Sequence, residues 1–435
     1  MPSVQTLFDE PFSAHSLMPD PLALVMIALT LFVALVVAGF SRVYMRADPG
    51  LRRFGRTLVV LIACVLVVVT THNLVALAIA WVGSGVLLAR LIGHDRGWAE
   101  ARGAARRAQV AFAIGDLALI VALALLGHAA GSADLGAVTV AAPTMPAGTT
   151  TVAALLLLVA AAARCALPPF SGWLLSSMTA PTPVSALMHA GLVNAGGLLL
   201  IRFGPVLECA PAARVAAVVV GLAAAILGAG VMVVRPDVKR ALAGSTVSQM
   251  GFMIISCGLG AYAAALWHIV AHGMFKAWLF LGSGSTIGMK PRAMAPGPRA
   301  DRTTLAIATI TLGTALALVA GGQASANLVP LLLGLATALA TLGTGLRASP
   351  HWGDRAVTGA LVAGLIGGNV LGLALCHAVL GADAPTLLST PALIALIAGF
   401  LGVWAWQAQR RALPAAIYVH LINSGALNSA RAGDA

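Results

Sequence analysis

The chain has 435 residues, 60% of them hydrophobic and only 9% charged, with a mean hydropathy of +0.95. That composition excludes an ordinary soluble domain and places the protein in the membrane class. The formal net charge of +12 would suit a nucleic-acid binder if it were gathered into one patch, but the lysines and arginines are scattered through short gaps between apolar runs. They read as topology signals, and no nucleic-acid partner is expected.

Residues 1–20 contain Asp9, Glu10 and Asp20 but no Lys or Arg, unlike the positive start of a cleavable signal peptide, so they are expected to form an outer tail ahead of a retained first helix. Apolar runs of the length that crosses a bilayer then follow near 21–41, 57–71, 74–93, 109–127, 150–168, 184–203 and 213–234. Six more lie near 241–259, 262–286, 303–320, 327–346, 356–377 and 388–408. The expected architecture is therefore all-α, a polytopic membrane protein of about thirteen transmembrane helices. With a periplasmic N-terminus and a cytoplasmic C-terminus, all but four of the 26 lysines and arginines fall on the cytoplasmic side, and the outer loop 128–149 has none. This is the positive-inside pattern of an inner-membrane protein. The 47 glycines against 12 phenylalanines predict helices packed closely through small residues, since lipid is as apolar as the helices themselves. Cys64, Cys165, Cys209, Cys257 and Cys376 mostly fall in or beside apolar runs without CxxC spacing, and predict neither disulfides nor a metal site.

The four exceptions are Arg164, Arg202, Arg214 and Lys276. Arg202 and Arg214 flank a short outer loop around Glu208 and are expected to snorkel to the interface in a structural role. Arg164 and Lys276 lie within spans, and Asp116 is the one carboxylate inside a span. A lone charge in the bilayer costs several kcal/mol unless paired or hydrated. Asp116 and Arg164 sit at similar depth on neighbouring spans, so an ion pair is geometrically feasible, serving either a proton path or a structural lock between helices.

His268, His272 and Lys276 recur at i, i+4 and i+8, which puts them on one face of one helix with steps of about 6 Å. Imidazoles exchange protons near neutral pH, so the row suits a hydrated relay. A metal site is disfavoured because no third ligand or HExxH glutamate accompanies the two histidines. His189 opens the next span after Arg164, following Pro168, Pro169, Pro181 and Pro183. Prolines break regular helices, and broken helices at membrane depth line hydrated cavities. The segment 160–195 is thus the expected centre of the site.

At these residues the chain resembles a known family. Leu167-Pro168-Pro169-Phe170 and Ala180-Pro181-Thr182-Pro183-Val184-Ser185-Ala186-Leu187-Met188-His189-Ala190 are similar to the signature of the antiporter-like subunits of respiratory complex I and Mrp-type antiporters. The segment from Asp237 through Lys239 and Ser248 to Gly251, and that from His268 to Ser283 with His272-Gly273-Met274-Phe275-Lys276-Ala277, resemble the next two blocks. Tyr44-Met45-Arg46 and Gly115-Asp116 also fit, so the resemblance covers about residues 25–288. It implies a complex I antiporter-like fold with broken helices and a proton path through Asp116, Arg164, His189, His268, His272 and Lys276. Lys239, Ser248, Pro168, Pro181 and Pro183 would support that path.

Departures from the family select a branch. Where complex I subunits place a glutamate after a tryptophan, this chain reads Trp81-Val82-Gly83-Ser84-Gly85, and Arg164 stands where the paired lysine would be. A guanidinium stays protonated, so Arg164 is cast as a fixed electrostatic element. The stretch 303–320 lacks the family's second lysine, and the later spans offer only His377. The expected organisation is a proton-conducting region 21–288, a degenerate half 289–409 and a cytoplasmic tail 410–435. Together with Ala416-Ile417-Tyr418-Val419-His420-Leu421-Ile422-Asn423, this pattern looks like the DabB branch. The resemblance implies a cation-conducting subunit of an energy-coupled inorganic carbon transporter, partnered by a DabA-like zinc protein that carries the hydration chemistry. The chain itself is then not an enzyme and holds no cofactor. Loops 42–56, 94–108 and 287–302 are either docking surfaces for that partner or topology signals only. The alternatives are a proton-translocating subunit of a complex I-like or Mrp-type assembly, and a non-transporting scaffold, which has no reason to keep ionisable groups at membrane depth.

Overall fold

The computed structural model describes residues 19–283, 302–320, 327–348, 351–381, 384–385, 387–408 and 413–424. Most of the outer tail 1–20, the loop 287–302 except Arg302, and Arg410, Arg411 and Arg431 lie outside these residues. Among the described residues the regular structure is helical, with one isolated bridge between Asn73 and Asp134. The first helices are α1 (Pro21–Tyr44), α2 (Leu51–Thr70), α3 (Leu74–Ile92), α4 (Ala99–Ala130), the short α5 (Leu135–Ala141), α6 (Ala147–Arg164) and α7 (Ser171–Ser176). Next come α8 (Thr182–Ala190), α9 (Ala195–Arg202), α10 (Gly204–Glu208), α11 (Pro211–Val234), α12 (Val238–Leu259) and α13 (Tyr262–Gly282). The last are α14 (Arg302–Ala320), α15 (Leu328–Ala348), α16 (Trp352–Leu380), α17 (Thr390–Ala408) and α18 (Ala415–Asn423).

Among the described residues ten segments are long and apolar enough to cross a membrane, with α8 and α9 counted together as Thr182–Arg202. α14, α15 and α17 fall where the sequence places three more spans, but their apolar stretches are shorter, Thr309–Leu318, Leu328–Gly343 and Pro391–Gly402.

Helix ends follow local chemistry. Asp20 accepts from the Ala23 amide at 2.6 Å, ahead of Pro21 in the first turn of α1. Asn73 accepts from the amides of Val75 and Ala76, so the three residues between α2 and α3 form a true turn that satisfies the exposed helix start. α4 ends at Gly131 in the left-handed conformation, φ 66°, where a side chain would be strained.

By contact the chain divides into two compact units. The first holds α1 to α11, α12 as far as Gly258, α13 from His268 onward, and, among the described residues, Tyr418 to Ser424. Within it α4 packs along α6, α3 on α2 and α4, and α1 on α2 and α8. α11 and α12 approach so closely that a Cβ on Gly228 would overlap the Ser248 backbone, and one on Gly221 would lie 2.6 Å from the Gly251 carbonyl. Only small residues permit such a crossing. In α18, Leu421 is buried and meets Gly230 of α11, while Arg235 donates to the Ser424 carbonyl at 2.6 Å. The second unit comprises Leu259–Trp267 and α14 to α17. In it Trp267 donates to Asn369 Oδ1 of α16 at 2.5 Å and covers Gly372.

Arg202 and Arg214 turn inward, against the expectation that they snorkel. Arg202 donates to the Val68 and Thr71 carbonyls at 2.8 and 2.7 Å, and Arg214 to the Gly258 carbonyl at 3.0 Å. Last-turn carbonyls have no partner within their own helix and carry partial negative charge, so a guanidinium satisfies both needs.

Candidate functional site

The first buried cluster lies where α3, α4 and α6 meet. Gly115 of α4 faces Ala163 of α6, and a Cβ there would come within 2.6 Å of the Ala163 Cβ, so the two helices touch just beside Asp116 and Arg164. Arg164 Nη2 is 3.2 Å from Asp116 Oδ1. The guanidinium also donates to Ser84 Oγ at 3.1 Å and to the Trp81 carbonyl at 3.0 Å. It lies over the rings of Trp81 and Phe112, 4.5 and 4.8 Å from their centroids. A Cβ on Gly85 would sit 3.2 Å from both terminal guanidinium nitrogens. The Trp-Val-Gly-Ser-Gly segment thus supplies a hydroxyl, a carbonyl and free space in place of a carboxylate, and Asp116 supplies the counter-charge from the neighbouring helix. Sequence reasoning missed Ser84 and Phe112 as partners. Their only signal was a gap in a motif and an aromatic one turn before Asp116.

α6 ends at this pair, and Pro168 and Pro169 follow its last turn rather than interrupting it. Trp173 donates to the Ala163 carbonyl at 2.9 Å, closing the exposed end. Pro181 precedes α8 and Pro183 lies in its first turn, a place where a missing N–H costs nothing. The break in the Thr182–Arg202 span is instead at Gly191–Asn194, a tight 3-10 turn between α8 and α9. Asn194 donates to the Ala190 carbonyl at 2.8 Å, and the Cys165 thiol to that of Val193 at 3.0 Å. The prolines therefore mark helix boundaries, and side chains satisfy the backbone freed at the break.

The second cluster joins α8, α12 and α13. Gly273 of α13 lets its helix approach the end of α8, since a Cβ there would be 2.7 Å from the Ala190 carbonyl. His189 Nδ1 is 3.0 Å from Thr246 Oγ1, and its ring stacks on Phe280 at 4.1 Å. On α13 the rings of His268 and His272 stack with centroids 5.4 Å apart, and Lys276, 1% exposed, donates to the Leu242 carbonyl at 3.2 Å. The Nε2 atoms of His189, His268 and His272 are buried and meet no protein hydrogen-bond partner. His189, His272 and Lys276 are buried, while His268 is half-buried.

Ser248 does not reach this cluster. It lies two positions from Thr246, about 200° around the helix, and faces the crossing with α11. Thr246, fully buried, is the α12 hydroxyl that meets His189. A hydroxyl on α12 was legible in the motif; which of the two faces inward depends on helix rotation. Lys239 is half-buried in the first turn of α12.

An apolar cavity lies beside the first cluster, lined on its inner wall by Trp81, Ser84, Arg164 and Gly191 and elsewhere by side chains of α1, α2, α8 and α9. Among the described residues no group of three or more His, Cys, Asp or Glu side chains is arranged to hold a metal ion.

A profile of the family described as NADH:quinone oxidoreductase/Mrp antiporter, TM, matches residues 71–363, and one described as NADH-Ubiquinone oxidoreductase (complex I), chain 5 N-terminus, matches residues 13–55. Among curated proteins the chain is 40% identical over 279 residues to the probable inorganic carbon transporter subunit DabB1 of Halothiobacillus neapolitanus, covering 62% of this chain and 50% of that one. It is 37% identical over 271 residues to NADH-quinone oxidoreductase subunit L of Mycobacterium tuberculosis, covering 62% and 43%. The chain spans about half the length of these relatives, or less. Among solved structures, the Mrp complex from Dietzia sp. superposes with a TM-score of 0.65 at 26% identity, over 95% of this chain and 52% of that one. The first profile covers well over half of the residues and includes the ion pair, the helix break and the histidine row, so this chain belongs to the NADH:quinone oxidoreductase/Mrp antiporter family of transmembrane proteins.

Proposed function

We propose that this chain is the proton-conducting subunit of an energy-coupled inorganic carbon transporter, passing protons down their gradient to power a DabA-like zinc partner that hydrates carbon dioxide to bicarbonate. The observation that carries the conducting role is the row His189, His268, His272 and Lys276. Three of its imidazole nitrogens are buried with no protein partner, and such groups are completed by water. A row of titratable groups bridged by water moves protons by short transfers between neighbours. Asp116 is committed to Arg164, which leaves this row without a carboxylate to balance a sodium ion and favours protons as the ion. In this reading Arg164 and Asp116 hold a fixed field beside the path.

The choice of the carbon branch rests on similarity to DabB proteins, 40% and 37% identical in Halothiobacillus neapolitanus and Bacillus anthracis, and on the Ser84 and Gly85 environment of Arg164. The proposal includes thirteen spans, with α14, α15 and α17 crossing, an inner-membrane location, and an outer N-terminus with an inner C-terminus. It also includes a conducting region 21–288, a degenerate transmembrane half 289–409 and an inner C-terminal segment 410–435. On the inner face, the loops at 45–50 and 93–97 are tied together by His94 Nε2 and Asp48 Oδ2 at 2.9 Å and by Arg53 donating to the His94 carbonyl at 2.7 Å. This rigid patch is the partner's docking surface. A subunit of a complex I-like or Mrp-type antiporter is the second reading, favoured by the superposition on the Mrp complex.

The deciding experiment is growth rescue at ambient carbon dioxide in a bacterium lacking carbonic anhydrase, expressing this chain with and without a DabA-like gene. Rescue that needs both genes and collapses with a protonophore is the expected result. Failure with both proteins well expressed transfers the assignment to the antiporter reading.

A further inference from the structure

The inner end of α4 presents a second kind of site, away from both buried clusters. Arg106 is exposed and Arg107 half-buried; with Gly103, Val110 and Ile114 of α4 they line an open depression of about 550 Å³, closed on the other side by Phe170, Gly172 and Trp173. That volume lies within the roughly 300–1,000 Å³ typical of ligand sites. A Cβ on Gly172 would lie 3.7 Å from Cδ and Nη1 of Arg107, which places this residue beside the arginine side chain. From the Val110 and Ile114 lining of this depression an exposed apolar stripe continues along α4. Val110, Ile114, Leu117 and Val121 follow one another at helical spacing, 55%, 49%, 64% and 40% exposed, along a helix apolar enough to span the bilayer.

We propose that this groove binds one anionic phospholipid of the inner leaflet, its phosphate between Arg106 and Arg107 and an acyl chain along the Val110 to Val121 stripe. Guanidinium groups match phosphate oxygens in geometry and charge, and basic clusters at the cytoplasmic end of a span attract anionic headgroups. A free phosphate would use only the arginines and leave the apolar stripe unexplained. The combination of a cationic head and an apolar run entering the bilayer matches a lipid along its whole length. One wall of the groove, Trp173, packs edge-on against Phe112 with centroids 4.8 Å apart, and Phe112 is the ring under Arg164. The bound headgroup is therefore separated from the buried ion pair by two packed aromatic rings, Trp173 and Phe112.

The test is native mass spectrometry of the full-length chain purified in mild detergent and titrated with phosphatidylglycerol or phosphatidylcholine of identical acyl chains. One phosphatidylglycerol should be retained, with a preference over phosphatidylcholine that falls roughly ten- to thirtyfold in Arg106→Gln/Arg107→Gln. The preference should persist in Arg56→Gln, an exposed arginine on α2, and in millimolar inorganic phosphate. If the double variant fails to fold, Arg106→Gln alone carries the test, since that side chain is exposed. Equal binding of the two lipids, an unchanged preference in the arginine variants, or displacement by inorganic phosphate each overturns the proposal.

Discussion

The two buried clusters differ in how fully their polar groups are satisfied. Around Arg164 a carboxylate, a hydroxyl, a carbonyl and two aromatic faces meet one guanidinium. Around Lys276 a single carbonyl meets the ammonium, and three neighbouring imidazole nitrogens have no protein partner. A group held by several partners is fixed in charge and position, whereas one held by few can exchange protons and partners with water. The difference supports the proposal that the first cluster plays a static electrostatic part and the second carries the moving proton.

Arg164→Leu tests the static part most severely. It leaves Asp116 buried without a counter-charge and should cost about 3–5 kcal/mol, read as loss of membrane-inserted protein and a lowered melting temperature in detergent. Arg164→Leu/Asp116→Leu should recover much of that loss, because no lone charge remains. A double variant no better than the single one would break the pairing argument.

Lys276→Met should show the opposite signature. Reconstituted into vesicles, it should reduce proton flux by about a hundredfold while the melting temperature moves little, since one hydrogen bond to a backbone carbonyl contributes only about 1.5–3 kcal/mol even when charged. A large stability loss with flux retained would make Lys276 the structural lock and reverse the comparison.

Thr246→Val sharpens the contrast within the second cluster. It removes the hydroxyl partner of His189 and should cost about 1 kcal/mol while slowing flux severalfold, whereas Ser248→Ala, on the other side of α12, should leave flux unchanged. Equal effects would contradict the rotation of α12.

The smallest effect is expected at the clasp between the loops at 45–50 and 93–97, where a histidine is partnered. Burial alone would raise the Asp48 carboxyl, but its hydrogen bonds to His94 and to the Gly50 amide, with the charges of His94 and Arg53, hold it below the ordinary carboxylate range. A depressed carboxylate contributes stability that is complete above its unfolded value and is lost as pH falls through the lower folded value. Asp48→Asn should therefore lower the melting temperature by a few degrees or less at pH 6, with the difference shrinking as pH falls below the ordinary carboxylate range and vanishing below the lowered folded value. Identical melting of parent and variant across that whole range would remove the clasp from the account.

Much of this protein was legible in its sequence because the bilayer imposes a simple rule: about twenty apolar residues per crossing. The break between α2 and α3, the inward placement of Asp116 and Arg164, and the face shared by His268, His272 and Lys276 all follow from local spacing along a helix. Partner choice does not. Arg202 and Arg214 sit at helix ends near the interface, and only the neighbouring helix ends decide that they cap carbonyls rather than reach for solvent. The prolines signal a break, yet the break falls at Gly191–Asn194, because a proline in the first turn of α8 disrupts nothing.

The sequence by itself determined the class of the molecule, the course of its helices and the identity of the ionisable groups inside it, since these depend on hydropathy and on a fixed helical period. Tertiary structure alone decided that the Ser84 hydroxyl and the Trp81 carbonyl meet Arg164, that Thr246 rather than Ser248 meets His189, and that three imidazole nitrogens are left without a protein partner. Each of these depends on how one helix is rotated and translated against another. A difference of two residues turns a side chain by about 200°, and the small residues that set the fit act only through what they allow to come near.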